Sequence, residues 1–430
     1  PSTRTLSKII RRVFVTSKDA WGNLPCADVA AKTMEGSERQ ASQASQASSS
    51  VPRGDEKVSS AELAKWKDMM DQGISKYMYQ HPDRFHRRVR RGIPPEFRWR
   101  VWKAAVRLED SLPVDYKLLS ETENEWTPSI VIDIPRTFPD VKAFDVEQQQ
   151  RLQRVLNAYA GNKPEIGYCQ GMNYVAGLLL LVTENEEESF YVFRQLMDHE
   201  DFGLVGFYMG KLPLLRRYLR ACESLVAETL PELREHFIKQ NVQPAVYLHQ
   251  WFLTLFINCF PISMVMILWD VIMCEGLPVI LRIAVSILQV LKDSLLSMEF
   301  EEIIKFFKMM KTYHDEDGDL CAVKIGQLLM KHTEHVHIPD ATLQYLRPSS
   351  AAEDGNFDSD ESWENEHSPW YYKVMSGMWP WGKKKSLSSR SSPPGNDSPS
   401  RQGASALPPR RDEDAPEEGE SFFTRGWEFL

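Results

Sequence analysis

Between residue 60 and about residue 346 apolar side chains recur three and four positions apart almost without a break, and this periodicity is that of α-helix. Amphipathic runs fall at 95–107, 146–160, 171–182, 187–198, 213–221, 223–238, 246–259, 263–274, 279–296, 300–310 and 320–331. They are punctuated by Pro94-Pro95, Pro135, Pro139, the stretch 161–167 and the stretch 276–278, where proline and glycine interrupt a helix. Ser59 and Glu62 have the spacing of a capping box ahead of Leu63, Trp66, Met69 and Met70. Only 130–134 reads as extended. The expected fold class is all-α.

The flanks differ in kind. Residues 1–59 form a basic arm followed by a Ser/Gln/Ala-rich linker with almost nothing to bury. Arg4, Lys8, Arg11, Arg12 and Lys18 stand there among Ile9, Ile10, Val13, Phe14 and Val15, a pattern suited to membrane-surface contact, to a transit-type sequence or to a disordered arm. Residues 347–430 are acidic and then Ser/Pro-rich, and they carry Trp363, Trp370, Tyr371, Tyr372, Trp379, Trp381, Phe422, Phe423, Trp427 and Phe429. Such aromatic density in an expected disordered tail fits protein partners that bind the tail, docking back on the domain, or incidental hydrophobes in a disordered chain. Three segments result: 1–59, a helical domain at 60–346, and 347–430.

With 51 Lys and Arg against 60 Asp and Glu, the net charge of −9 argues against a protein held to nucleic acid by phosphate neutralisation. The six cysteines show no C-x-x-C pair or zinc spacing, as expected in a reducing compartment. The chain opens on Pro1, and the residues present lack the apolar stretch of a secretory signal. Its apolar runs are too short or too interrupted to cross a bilayer. An intracellular, cytoplasmic protein is expected.

Self-contained active-site motifs are missing from the sequence. There is no phosphate loop, no G-x-G-x-x-G opening a helix, no G-x-S-x-G and no H-E-x-x-H. His332, His335 and His337 lack a flanking ligand set and read as a solvated helix end. Asp315, Asp317 and Asp319 fail calcium-loop spacing and read as a turn with a helix cap.

Three segments do place polar residues where a helical core has no need of them. In the first, Arg98 and Trp102 lie at i, i+4, which suits an arginine packed on an aromatic as well as a site. In the second, Pro135 and Pro139 bracket Arg136, and Asp133 lies three residues earlier; a structural salt bridge and a presented arginine both fit. In the third, Gly167-Tyr168-Cys169-Gln170-Gly171-Met172-Asn173-Tyr174 enters an apolar run, and Gln170 could be a cap or a buried hydrogen-bonder.

Taken in order, Arg98-x-x-x-Trp102, Ile130-x-x-Asp133-x-x-Arg136 followed by Thr137, and Tyr168-x-Gln170 resemble the three motifs of the TBC domain of Rab GTPase-activating proteins. The similarity extends through Gln250-Trp251-Phe252, Pro261, Leu268-Trp269-Asp270 and Glu275-Gly276, covering roughly residues 88–335. The resemblance implies a two-lobed helical domain that acts on a GTP-bound Rab in vesicle trafficking, transiently at endomembranes. It implies Arg136 and Gln170 as catalytic fingers. Asp133 would orient Arg136 by a charge-assisted hydrogen bond, Arg98 and Trp102 would back the finger loops, and Tyr168 would fix the Gln170 loop, with Thr137 also supporting. No cofactor of its own is implied, only the GTP and Mg bound to the partner. Membrane association would come through the Rab or the basic arm. A non-catalytic Rab-binding scaffold is the competing expectation.

Overall fold

A computed structural model of the protein describes residues 59–183, 185–210, 212–310 and 319–347. The basic arm, the linker, the Asp315–Gly318 turn and the aromatic tail lie outside the described residues. All described residues belong to one compact unit. Among the described residues there is no strand, and no helix is long and apolar enough to cross a membrane.

The chain runs through α1 (Ser60–Asp71), α2 (Ile74–Gln80), α3 (Pro82–Val89), α4 (Pro95–Ala105), α5 (Tyr116–Glu121) and α6 (Thr127–Asp133). A 3-10 turn, Ile134–Arg136, continues α6. Then come α7 (Val146–Asn162), α8 (Met172–Val182), α9 (Glu186–Asp198), α10 (Val205–Tyr208), α11 (Pro213–Thr229) and α12 (Pro231–Lys239). The last are α13 (Ala245–Leu253), α14 (Ile262–Glu275), α15 (Val279–Leu295), α16 (Phe300–Met309), α17 (Asp319–Thr333) and α18 (Asp340–Tyr345). Side-chain oxygens of Asp115, Asp145 and Asn185 cap α5, α7 and α9, and proline opens α3, α4, α11 and α12, where its missing N–H is not needed.

Two groups of helices form the two lobes. α5, α6, α8 and α9 gather around α7; α14, α15 and α17 pack with one another, and α11 and α13 pack on α15. α4 touches both α8 and α14, joining the lobes. α8 is buried on every side from Met172 to Leu181, and each of its enclosed leucines contributes about 1.5–3 kcal/mol of transfer free energy. α14 is similarly enclosed, yet it carries Asp270 at zero exposure.

Several sequence expectations need correction. The 130–134 segment is helical, not extended: Ile130 is fully buried, Val131 and Ile132 are 47% and 57% exposed, and Asp133 and Ile134 are buried again. That is the three-and-four spacing of a helix rather than the alternation of a strand. Pro128 and Pro135 sit in first turns, where neither breaks a hydrogen bond. The runs 213–221 and 223–238 divide at Leu230-Pro231 instead of near 222, because the proline ends the preceding helix.

The run 246–259 stops helically at Leu253. Leu255 and Phe256 adopt left-handed backbone, at about 1–2 kcal/mol each. Burial of Phe252, Phe256 and Phe260 around Trp251 offsets that cost, and Trp269 Nε1 donates to Leu255 O at 3.1 Å. Ser59 caps α1, but Glu62 turns its carboxylate to Arg88 at 2.7 Å, so only half of the expected box guides the helix start.

His249 on α13 provides a test of this core. It is buried, its Nε2 has no hydrogen-bond partner among the described residues, and burial pushes its imidazole down to about 4. Between about pH 6.5 and 4 the unfolded chain therefore binds a proton that the folded chain refuses, so stability is present above this window and is lost as pH falls through it. Lowering the pH from 7.5 to 5 should cost the wild type about 2 kcal/mol more than a His249→Phe variant. Urea unfolding at the two pH values measures the difference; equal losses in both proteins would remove His249 as the cause.

Candidate functional site

Two short segments meet at the N-terminal end of α8. The first is the exit of α6. Its entry is anchored to α7 where Thr127 Oγ1 donates to Asn157 Oδ1 at 3.0 Å and Asn124 Nδ2 donates to Asn157 O at 3.1 Å. The second is the turn 167–171 that leads into α8. Gly171 has φ +114°, and a Cβ there would lie 3.0 Å from Leu253 Cγ, 3.1 Å from Leu253 O and 3.2 Å from Tyr208 Cε1, so only glycine fits.

Three side-chain hydrogen bonds cross between the segments. Tyr168 Oη donates to Asp133 Oδ2 at 2.8 Å. Asn173 Nδ2 donates to Thr137 Oγ1 at 2.7 Å, while Thr137 Oγ1 donates to Asp133 O at 2.8 Å. Tyr174 Oη donates to Arg136 O at 3.4 Å. Asn173 Oδ1 also accepts from Gly171 N at 2.9 Å, which closes the chain back onto the second segment. Asp133, Thr137, Tyr168, Asn173 and Tyr174 are all buried, so these bonds form in a low-dielectric setting where leaving one unmade is costly.

Against this fixed base, Arg136 and Gln170 are exposed. The Arg136 guanidinium has no ion-pair partner among the described residues, so the salt-bridge reading fails. The expected Asp133–Arg136 hydrogen bond is also not made: Asp133 is engaged by Tyr168 and influences Arg136 only through space. Burial raises the Asp133 carboxyl, opposed by the Tyr168 bond and the Arg136 charge. Burial pushes the Tyr168 phenol well above its ordinary value, which keeps it a donor. Gln170 is neither a helix cap nor a buried hydrogen-bonder. The neighbouring Cys169 thiol is pushed up to about 12 by burial and stays neutral.

The backbone after Arg136 is strained. Phe138 has φ +53° and is buried against Phe144 and Tyr174, with ring centroids 5.3 and 5.9 Å away. A left-handed non-glycine residue persists only where its surroundings over-determine it. Gly177 of α8 permits that packing: a Cβ there would lie 2.9 Å from Phe138 Cε2 and 3.2 Å from Thr137 Cγ2.

Arg98 and Trp102 belong to a different cluster. Asp270 Oδ1 accepts from Arg98 Nε at 2.8 Å and Trp102 Nε1 at 3.0 Å; Oδ2 accepts from Ile93 N at 2.8 Å and Arg98 Nη2 at 3.1 Å. Arg98 and Trp102 therefore direct their polar groups to Asp270 and tie α4 to α14, joining the lobes. They share a carboxylate where sequence spacing allowed a cation stacked on a ring. Sequence reasoning gave no role to Asp270, Asn173 or Tyr174. The signal for Asp270 was available: an acid inside the apolar run of α14 must find a partner if buried. Among the described residues no cluster of His, Cys, Asp and Glu is arranged to hold a metal ion.

The sequence pattern of the Rab-GTPase-TBC domain matches residues 95–296. Growth hormone-regulated TBC protein 1 of Xenopus tropicalis is 30% identical over 255 residues, which are 57% of this chain and 73% of that protein. The GTPase-activating protein GYP5 of Saccharomyces cerevisiae is 31% identical over 228 residues, which are 53% of this chain and 25% of that protein. The crystal structure of the Ypt/Rab-GAP domain of Gyp1p superposes with a TM-score of 0.53 at 18% identity, covering 66% of this chain and 98% of that domain, a likeness of fold. The chain belongs to the Rab-GTPase-TBC domain family. It spans about a quarter of the length of several curated relatives that it matches.

Proposed function

We propose that this chain is a GTPase-activating protein for a Rab-family GTPase and that it supplies Arg136 and Gln170 to the active site of its GTP-bound partner. The observation that carries the reading is the pairing of two exposed side chains, one cationic and without an ion-pair partner among the described residues, on two segments joined by buried hydrogen bonds. Phosphoryl transfer asks for that arrangement more than for an acid or base, since its barrier falls chiefly through positioning and electrostatics. Arg136 would offset charge developing on the transferring γ-phosphoryl group and its leaving oxygen. Gln170 would orient the attacking water. The GTP and its Mg belong to the partner as substrate, so the chain activates another enzyme's site and holds none of its own. Action in vesicle trafficking at endomembranes, reached through the Rab or the basic arm, follows from this reading.

The experiment is phosphate release from a panel of GTP-loaded Rab proteins with catalytic amounts of the full chain. Acceleration of at least one is expected. Binding without acceleration would leave a Rab-binding scaffold in its place. A further expected result concerns Gln170: with GDP and aluminium fluoride, the responsive Rab should form a stable complex with the wild type, and Gln170→Ala should weaken it by about 10–100-fold, as for loss of a group acting in the transition state. Equal affinity of the two proteins for that complex would remove Gln170 from the chemistry.

A further inference from the structure

We propose that Asn173 is a positioning residue that locks the Arg136 and Gln170 segments into one unit, so that the two side chains approach a nucleotide together and not as independent loops. The inference rests on the Rab-activating reading for its effect on rate, but not for its structural content.

Asn173 sits at the first turn of α8, is 1% exposed, and uses both ends of its amide. Its oxygen accepts from the N–H of Gly171, the residue next to Gln170. Its nitrogen donates to the hydroxyl of Thr137, the residue next to Arg136. That hydroxyl has already committed its proton to Asp133 O, so it can only accept from Asn173. The amide orientation is consequently set by its partners. Aspartate could not replace it, because a second acceptor would then face the Thr137 oxygen, and an isosteric leucine would leave the Gly171 N–H without its bond.

The remaining cross-links leave the relative placement of the two functional side chains to this amide. Tyr168 Oη reaches Asp133, on the helical side of Arg136, and Tyr174 Oη reaches Arg136 O at a long 3.4 Å. Among the described residues, only the Asn173 amide makes side-chain hydrogen bonds to the immediate neighbours of both Arg136 and Gln170. Both segments run close to packed neighbours: a Cβ added at Gly171 would lie 3.0–3.2 Å from Leu253 and Tyr208, and one added at Gly177 would lie 3.2 Å from Thr137 Cγ2. The amide therefore bridges two closely packed segments, which lets one bond transmit a displacement from one segment to the other.

Two measurements on the full chain test this. The first uses no Rab: hydrogen exchange of a peptide covering residues 168–174 in wild type, Thr137→Ser and Thr137→Val. Thr137→Val deletes the acceptor on the Arg136 side while keeping the side-chain shape. Exchange in the Gln170 turn should quicken about tenfold in Thr137→Val and return toward wild type in Thr137→Ser, which keeps the oxygen. Unchanged exchange in Thr137→Val would overturn the coupling, whatever the protein's activity.

The second measurement is single-turnover phosphate release from the Rab with the largest response in the panel. Thr137→Val and Asn173→Ala should each lower the maximal rate by about 10–100-fold with the half-saturating concentration unchanged, because misplacement by about 1 Å acts on the transition state rather than on docking. The double variant should be no slower than the worse single one. Losses that multiply, or that appear only in half-saturation, would overturn the proposal. Should Asn173→Ala fail to fold, the Thr137 pair decides the question alone. If no Rab responds while the exchange result holds, the Rab-activating reading fails and the coupling between the segments stands.

Discussion

Arg136→Ala is expected to lower the stimulated rate of GTP hydrolysis by about 10³–10⁵-fold, the range by which a trans arginine accelerates GTPases. The fold should survive the change. Arg136 is exposed and its guanidinium has no ion-pair partner among the described residues, so its removal leaves no buried group unsatisfied. What holds the segment is its backbone and its neighbours: Thr137 bonded to Asp133 and Asn173, and Phe138 wedged against Phe144 and Tyr174. Arg136→Lys should lose most of the rate as well, since an ammonium lacks the planar fork that spans two phosphate oxygens. Phosphate release across the Rab panel, with the thermal midpoint as control, measures both. Full activity of Arg136→Ala on every responsive Rab would show that the cation is not part of the chemistry.

Asp270→Ala should act in the opposite sense, sparing the chemistry and attacking the fold. The carboxylate lies at zero exposure and accepts from Arg98 twice, from Trp102 Nε1 and from the backbone of Ile93. Its removal leaves the largely buried Arg98 guanidinium without its counter-charge and two N–H donors without an acceptor. Breaking a buried ion pair from one side costs about 3–5 kcal/mol. The loss should be read as a lower urea midpoint with reduced soluble yield, and the surviving folded fraction should retain its rate per folded molecule. A change below about 1 kcal/mol would mean that the cluster is replaceable by solvent.

These two residues also mark how far the sequence could be read. The helices with apolar periodicity, α4, α7, α9, α15 and α17, were legible within a few residues, because burial of one face imposes a repeat that survives in the chain, and the enclosed α8 and α14 were legible as apolar runs of helical length. Short helices such as α2, α5 and α10 were not, since one or two turns leave too few positions to define a period. α6 was misread as extended because two prolines and a run of β-branched residues favour strand by propensity. Its packing on α7 overrides that preference.

The site divides along the same line. Arg136 and Gln170 could be singled out from the sequence only through the resemblance of their segments to the TBC motifs; by residue type and spacing alone, a salt bridge and a helix cap fitted them as well. Their supports could not be assigned. Whether Asp133 pairs with Arg136 or with Tyr168, and whether Arg98 stacks on Trp102 or shares Asp270 with it, depends on residues far apart in the chain.

By itself the amino-acid order determined the all-helical fold class and the motifs by which the chain resembles its family. Tertiary structure decided which carboxylate meets which donor, and it decided that Asn173 stands between the two exposed side chains. The physical reason is that helical periodicity is a local property, set by which side of each turn must leave water. A buried hydrogen bond is satisfied by whichever donor or acceptor the packing of separate helices brings within about 3 Å.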